Sequence, residues 1–341
     1  MRILWSGLLA LAVMAPVSGR TDERALYEAA KAEGQVIWYT TLIINVGVRP
    51  LAAAFERKYP GIQVRYSRAD SAQTAVKVLN EARAGKVQAD VVDGTDSLPP
   101  LRRAGLLARY RPAATDRYPP ELKDPEGYWH ATLIYFMTPA FNTRLVPKSE
   151  APGTLQDLLD PKWKGKMAWT TSRGSGGPSF IGTVLQSRGE ERGMAYLRAL
   201  ATQAIMNVNV AARALVEQCA LGEYPIVLNI FNHHAAMSAA KGAPVDWIKL
   251  DMIGAPMQVS GLLKDAPHPN AGKLLLDFMA SEEGQKILAQ AELLPAMPGV
   301  PAAFPEVKPE VAGFKPVVLS QDLLARETDR WVGIYRSLFF R

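Results

Sequence analysis

Two periodicities take turns along the first hundred residues. Residues 22–32 repeat apolar positions at helical spacing, with Leu26, Ala29 and Ala30 on one face, Thr21 placed to cap and Gly34 to stop. QVIWYT at 35–40 is a short apolar strand. Helical spacing returns over 50–59, with Leu51, Ala54 and Phe55 inward, and Pro60-Gly61 ends it. Ile62, Val64 and Tyr66 alternate as a strand does; a helix follows over 71–84, a strand over 89–92 and a short helix over 98–104. Strands and helices alternating over short links predict a mainly parallel sheet with helices on both faces. Such sheets gather ligands beyond the carboxyl ends of their strands. That rule selects Tyr39-Thr40-Thr41, Arg68-Ala69-Asp70-Ser71, and the loop from Asp93 through Thr95 and Asp96 to Ser97.

From 109 to 127 the chain turns to Pro, Asp and Tyr, a surface excursion, and 128–140 resumes as a strand. A second alternating unit follows. It comprises a strand at 166–170, helices at 179–187 and 189–200, a strand at 205–208 and a helix at 210–221. A strand at 225–230, a helix at 232–241 and a strand at 245–250 complete it. Its ligand loops are 170–177, 207–209 and 229–234. The last third reads as helical over 271–280 and 282–291, then a proline-rich link and an amphipathic segment over 320–340. No solenoid-length repeat is present.

The chain has 341 residues, enough for roughly two domains, and 48% hydrophobic with 21% charged residues is an ordinary globular balance. The net charge of +6 is spread along the chain, with no basic stripe or stacking motif, so nucleic acid is not an expected partner. Arg2, the apolar run 3–15 and the small residues Val17-Ser18-Gly19 form the pattern of a cleaved secretory signal over 1–19. The run is short for a membrane span, so an exported, periplasmic protein is expected. Cys219 is the single cysteine, which excludes an internal disulfide and a multi-cysteine zinc site.

The densest candidate chemistry is PKWKGKMAWTTSRGSGGPSF at 161–180. A short strand runs into Gly174, Gly176 and Gly177, with Ser172, Ser175 and Pro178, and then into a helix. Glycine admits close backbone approach, a helix start attracts negative charge, and Arg173 adds a fixed cation with a planar fork of donors. No Gly-Lys-Ser/Thr follows, so this is not a nucleotide P-loop. Arg173 stands where a nucleophile elbow around Ser175 needs glycine. No base–nucleophile constellation appears elsewhere, so an enzyme is not expected and no cofactor is called for.

The chain resembles the extracellular solute-binding proteins of bacterial ABC importers, in the branch that includes ferric-iron binders. LAAAFERKYPGIQVRYSR (51–68) carries the resemblance, followed in order by EARAGKVQADVV (81–92), LRRAGLLARY (101–110), the FNTRLVP segment (141–147) and LQDLLDPKWKGKMA (155–168). GEYPIVLN (222–229) and HPNAGKLLLDFMASEEGQKIL (268–288) complete it. The resemblance implies a two-lobed fold with the ligand in the cleft. Lobe one is expected at 20–135 plus about 254–300, and lobe two at 136–253 plus about 301–341. An inner-membrane ABC permease is the implied partner, and the binder is expected to be a monomer. Iron members carry adjacent tyrosines where this chain reads Phe231-Asn232-His233-His234, and the first-lobe iron ligands correspond to Ile43 and Thr95.

The expected ligand residues are therefore Tyr39, Thr40, Thr41, Arg68, Ser71, Thr95, Ser172, Arg173, Ser175, Gly176, Asn209, Asn232 and His233. Hydroxyls, two arginines and helix starts facing one cleft favour a small organic anion, of carboxylate or of phosphorylated or phosphonate type. Three alternatives stay open. A cationic amine would sit on Asp70, Asp93 and Asp96; a metal other than iron would use His233, His234, Asp93 and Asp96; and the module would serve a membrane receptor instead of a permease. Asp93 and Asp96 also read as caps of the helix that follows them.

Overall fold

The computed structural model describes residues 19–340, with side chains from Glu23 onward. The export signal expected over 1–19, save Gly19, lies outside what is described, and Thr21, expected to cap the first helix, lies inside that helix, which begins at Gly19.

The first alternating unit forms α1 (Gly19–Glu33), β1 (Gln35–Thr40), α2 (Arg49–Lys58), β2 (Gln63–Arg68), α3 (Ser71–Arg83), β3 (Val91–Gly94) and α4 (Leu98–Arg103). β1 lies between β2 and β3 and is parallel to both. A π-helical turn, Ile44–Val48, precedes α2; such turns occur often at functional sites. After β4 (Leu107–Ala108) the excursion makes two 3-10 turns, and buried Tyr118 ties it down by donating to the Ala280 carbonyl at 3.2 Å.

The single strand expected over 128–140 is two strands in different sheets, β5 (His130–Ile134) and β6 (Met137–Asn142), and the chain passes between lobes at Tyr135-Phe136. The second unit forms β7 (Met167–Thr170), α5 (Gly177–Arg188), α6 (Glu190–Ala201), β8 (Met206–Val208), α7 (Ala212–Leu221), β9 (Ile226–Phe231), α8 (Asn232–Ala240) and β10 (Val245–Trp247). β7 is parallel to β8 and β9, while β6 runs antiparallel to β9 and β10. α5 begins two residues earlier than its periodicity suggests, because Pro178 is already set at helical φ.

The longest strand lies where the sequence pattern predicts none. β11 (Ile253–Leu263) passes through both sheets and is buried along its whole length. Its first residues pair with β6 and with β12 (Pro316–Leu319); its later residues pair antiparallel with β3, β4 and β5. Gly254, Pro256 and Gly261 hide it, since these residues usually interrupt strands. Packing explains two of them: a β-carbon on Gly254 would stand 2.5 Å from Thr183 Oγ1, and one on Gly261 2.7 Å from the Tyr128 carbonyl.

α9 (Pro269–Ala280) and α10 (Glu282–Gln290) return to the first lobe, α11 (Pro309–Ala312) is a single turn, and α12 (Gln321–Phe339) closes the chain. Each sheet has a core on both faces. In the first lobe Trp38, Phe55, Leu274 and Phe278 fill one side, and Tyr39, Val78, Leu101 and Tyr118 the other. In the second, Trp169 packs with Phe180 and Trp331, and Leu215 and Val227 with the buried thiol of Cys219. Phe136, Ile253, Leu294 and Val307 form a small core where the crossings meet. The result is a two-lobed α/β fold whose parallel strands are joined by antiparallel strands that cross.

α12 is rooted in the second lobe. A β-carbon at Gly182 would stand 2.5 Å from the Trp331 ring, and one at Gly177 2.3 Å from Tyr335. Gly182→Ala therefore sets a helix-propensity gain of about 1 kcal/mol against overpacking of roughly 1–3 kcal/mol. The expected result is a lower urea midpoint with an unchanged m-value; a midpoint that holds or rises would contradict this packing.

Candidate functional site

The carboxyl ends of β1, β3 and the start of α3 make the first-lobe edge of the site. Asp93, fully buried at the end of β3, accepts from Trp38 Nε1 (2.7 Å), Thr40 Oγ1 (2.7 Å), the Thr41 N–H (2.8 Å), Thr41 Oγ1 (3.2 Å) and Gln258 Nε2 (3.0 Å). Burial pushes its carboxyl up to about 6, while these donors work in the opposite direction. Thr40 and Thr41 thus turn their hydroxyls onto Asp93. Gln258 Oε1 in turn accepts from Tyr135 Oη at 2.7 Å. Neither Asp93 nor Asp96 caps α4, contrary to expectation: α4 has no side-chain cap, because the Asp93 carboxylate is drawn into the β1 turn. Asp70 is the cap that forms, accepting from the Gln73 N–H at the start of α3.

Ser71, Thr95 and Asp96 come together. The Thr95 N–H donates to Ser71 Oγ (3.2 Å), and Thr95 Oγ1 donates to Asp96 Oδ1 (3.3 Å). Gly94 makes this possible: it sits at φ +155°, and a β-carbon there would stand 2.4 Å from Ser97 Oγ and 2.7 Å from Ser71 Oγ. Desolvation raises the Asp96 carboxyl, against hydrogen bonds from Ser71 and Thr95. Arg68 is exposed and gives its Nε to the Leu42 carbonyl at 3.0 Å. Tyr39 points elsewhere. Its hydroxyl donates to Glu81 at 2.7 Å, and Lys77 Nζ stands 3.9 Å from its ring centre, so it packs beneath α3.

The second-lobe edge is built on the β7–α5 junction. The Gly176 N–H donates to the Ser172 carbonyl (2.9 Å), and Ser175 Oγ donates to Ser172 Oγ (3.1 Å). Asn229, at φ 54°, gives Nδ2 to the Gly176 carbonyl at 2.9 Å and holds the turn from below. A β-carbon on Gly176 would stand 2.1 Å from the Thr170 carbonyl, so only glycine fits. α5 has no side-chain cap. Thr170 Oγ1 is wholly buried at this junction with no hydrogen-bond partner. Arg173 donates from Nη2 to Asp329 of α12 at 2.5 Å.

Further along this edge, Asn209 accepts from Thr171 Oγ1 at 3.3 Å. Asn232 gives Nδ2 to the Val307 carbonyl (2.7 Å) and leaves its buried Oδ1 unpaired. His233 stacks on Tyr135 with ring centres 5.7 Å apart, its Nδ1 also buried and unpaired. Burial, with the Arg213 cation beside it, pushes His233 down to about 3, and His234 is lowered in the same way. Both stay neutral imidazoles.

The two edges meet. A β-carbon on Gly174 would stand 3.4 Å from Thr95 Oγ1 and 3.8 Å from Asp96 Oδ1. Ser71 and Thr95 therefore lie across from the loop of Ser172, Arg173, Ser175 and Gly176. Tyr39 lies outside this cluster, and His233 faces the hinge through Tyr135. Thr170 and Asn229 lie on the selected loops 170–177 and 229–234 but were not among the named ligand residues, although a strand-ending Asn tolerates the left-handed region; Arg213, on α7, lies outside every selected loop and had no sequence signal. Among the described residues no three of His, Cys, Asp and Glu come together to hold a metal.

The model of a family described as bacterial extracellular solute-binding proteins matches residues 88–322, more than half of the chain. The chain belongs to that family. Its fold, a cleft between two α/β lobes, is that of periplasmic binding proteins. Iron uptake protein A1 of Synechocystis sp. is 26% identical over 213 residues, 58% of this chain. The match spans 59% of that relative's length. A protein of Salmonella paratyphi A, named as a candidate 2-aminoethylphosphonate-binding periplasmic protein, is 28% identical over 244 residues, 67% of each chain. Among solved structures, the periplasmic binding protein AfuA of Actinobacillus pleuropneumoniae with fructose-6-phosphate bound superimposes with TM-score 0.76 at 25% identity, over 90% of this chain and 99% of its own. Iron-bound HitA of Pseudomonas aeruginosa superimposes with TM-score 0.75 at 26% identity, over 89% and 99%.

The binding protein's buried acid gives a pH test. Asp93 in the fold holds its proton to about 6, above the ordinary 3.8. Between those values the native state binds more protons than the unfolded chain, so this contribution to stability falls as pH rises from about 4 to 6. The difference in unfolding free energy between the wild type and Asp93→Asn should shrink across that window. A difference independent of pH would refute the assignment.

Proposed function

We propose that the protein is the periplasmic substrate-binding component of an ABC importer. Its ligand is a small organic anion of the phosphorylated or phosphonate type, held between the lobes without covalent chemistry. Closure of the lobes on the ligand is the signal to an inner-membrane permease, and the protein works as a monomer.

The β7–α5 junction carries the ligand class. The first N–H groups of α5 have no intrahelical acceptor and no side-chain cap. Beside them stand the unpaired Thr170 hydroxyl, the hydroxyls of Ser172 and Ser175, and the cation of Arg173. A tetrahedral oxyanion with several acceptor oxygens suits this set of donors at a helix start. Ser71 and Thr95 offer hydroxyls from the facing lobe, and Arg68 supplies a second cation at the cleft mouth. The named ligands of two similar proteins, 2-aminoethylphosphonate and fructose-6-phosphate, support the same class.

Iron has less support, although similar proteins are named for it. Ferric iron favours anionic oxygen. Here two neutral imidazoles and an asparagine follow β9, Arg213 stands beside them, and both oxygens of Asp93 are already engaged.

Native mass spectrometry of the mature protein, under gentle and then denaturing conditions, should release an organic phosphate or phosphonate. Arg173→Ala should weaken binding of that compound by roughly 10- to 100-fold in calorimetry, the usual worth of a hydrogen bond to a charged group. Unchanged affinity in the Arg68→Ala/Arg173→Ala double variant, or release of a metal instead, would sink the reading.

A further inference from the structure

We infer that a second small-molecule site lies between α4 and α12, and that it takes a neutral ligand with an apolar body and a hydroxyl or primary amide. The site is separate from the anion site of the cleft and does not rest on the phosphate or phosphonate reading.

A cavity of about 410 Å³ opens here, within the range of roughly 300–1,000 Å³ usual for small-molecule sites. The first lobe lines it with Leu98 and Pro99 of α4, Leu107 of β4 and Trp129 just before β5; α12 lines it with Gln321 and Ala325. Leu319, Leu323 and Leu324 are buried in the second-lobe core, so Gln321 and Ala325 occupy the other face of α12, turned to the first lobe. Two hydrogen bonds span the gap. Gln321 Nε2 donates to the Thr95 carbonyl at 2.9 Å, and Arg103 Nη1 to the Ala325 carbonyl at 3.0 Å. An occupant of the cavity therefore touches both lobes.

Two of the lining side chains are left incomplete. Gln321 is 2% exposed and its Oε1 has no hydrogen-bond partner. Trp129 is 8% exposed and its Nε1 has none either. One is an acceptor and the other a donor, and buried groups of both kinds are normally paired. The charges nearby are already answered. Arg102 is paired with Asp124 and Glu126, Asp322 is exposed beside it, and Arg103 is open to water. An ion entering the cavity would give up its water without gaining a free counter-charge within the walls. A hydroxyl both donates and accepts, and a primary amide does the same. Either group answers the chemistry of Gln321 and Trp129 while an apolar body packs on Leu98, Pro99 and Leu107.

The probe is 2-phenylethanol, with phenylacetate and 2-phenylethylammonium as charged counterparts of similar size. Titrated into the isotope-labelled mature protein, it should move the indole N–H resonance of Trp129 downfield; that resonance is identified by its loss in Trp129→Phe. The charged counterparts should bind at least about fivefold more weakly. Trp129→Phe should weaken 2-phenylethanol roughly threefold to tenfold, read from the backbone amides of the first turn of α12, as loss of one neutral hydrogen bond does. Ala325→Phe, which places a ring in the cavity, should abolish binding, and the wild-type titration stands even if that variant misfolds. Hydrogen exchange in α4 and in the first turn of α12 should slow together when the probe binds. An indole resonance that does not move, or a folded Ala325→Phe that still binds, would overturn the site. Tighter binding of either charged counterpart would overturn the neutral class, and slowed exchange in only one of the two helices would overturn the contact with both lobes. None of these outcomes bears on the anion site, which calorimetry of the Arg173→Ala variant tests separately.

Discussion

The buried carboxylate of Asp93 is the interaction on which the site's geometry depends. Five donors from β1, the turn after it and β11 converge on one side chain with no access to water. A carboxylate in that setting survives only because its acceptor sites are filled. Filling them fixes the end of β1 against β3 and fixes Gln258 on the crossing strand. Gln258 then receives Tyr135 from the other crossing, and Tyr135 carries the His233 ring. One unbroken set of contacts thus runs from the first-lobe edge of the cleft through both hinge strands to the second lobe.

The cleft loops are held by backbone fit as much as by side chains. Gly94 and Gly176 each occupy positions where a single methyl would meet polar atoms well inside van der Waals distance. These contacts let the serine and threonine hydroxyls crowd the ends of the sheets. α12 touches both loops: Gln321 donates to the Thr95 carbonyl at 2.9 Å, and Asp329 holds Arg173. With Trp331 and Tyr335 packed deep in the second lobe, the C-terminal helix reports on the positions of both edges.

Much of the site was legible because α/β sheets place ligand loops by topology. Ser71, Thr95, Ser172, Arg173, Ser175 and Gly176 all lie on loops chosen by that rule, and the structure brings them together. Tyr39 lies outside that cluster for a simple reason: a strand's side chains alternate between its faces, and the face that receives Tyr39 is covered by α3. Asn229 reaches the Gly176 carbonyl and Arg213 the His234 carbonyl, contacts with segments distant in sequence that local periodicity does not encode. The capping role expected of Asp93 was lost to a stronger local competitor, the donors of β1.

The sequence alone determined the class of fold, the alternation of strands and helices and the loops where a ligand would bind, because periodicity and turn residues act locally. It also determined the family, through motifs spread across the chain. The tertiary structure alone decided how the lobes are joined. β11 carries glycine and proline at positions that argue against a strand, yet it spans both sheets because neighbours in each press against it. The same long-range packing set the loop of Asp96 against the loop of Arg173. That juxtaposition depends on two loops separated by more than seventy residues meeting in space, which only the folded chain can arrange.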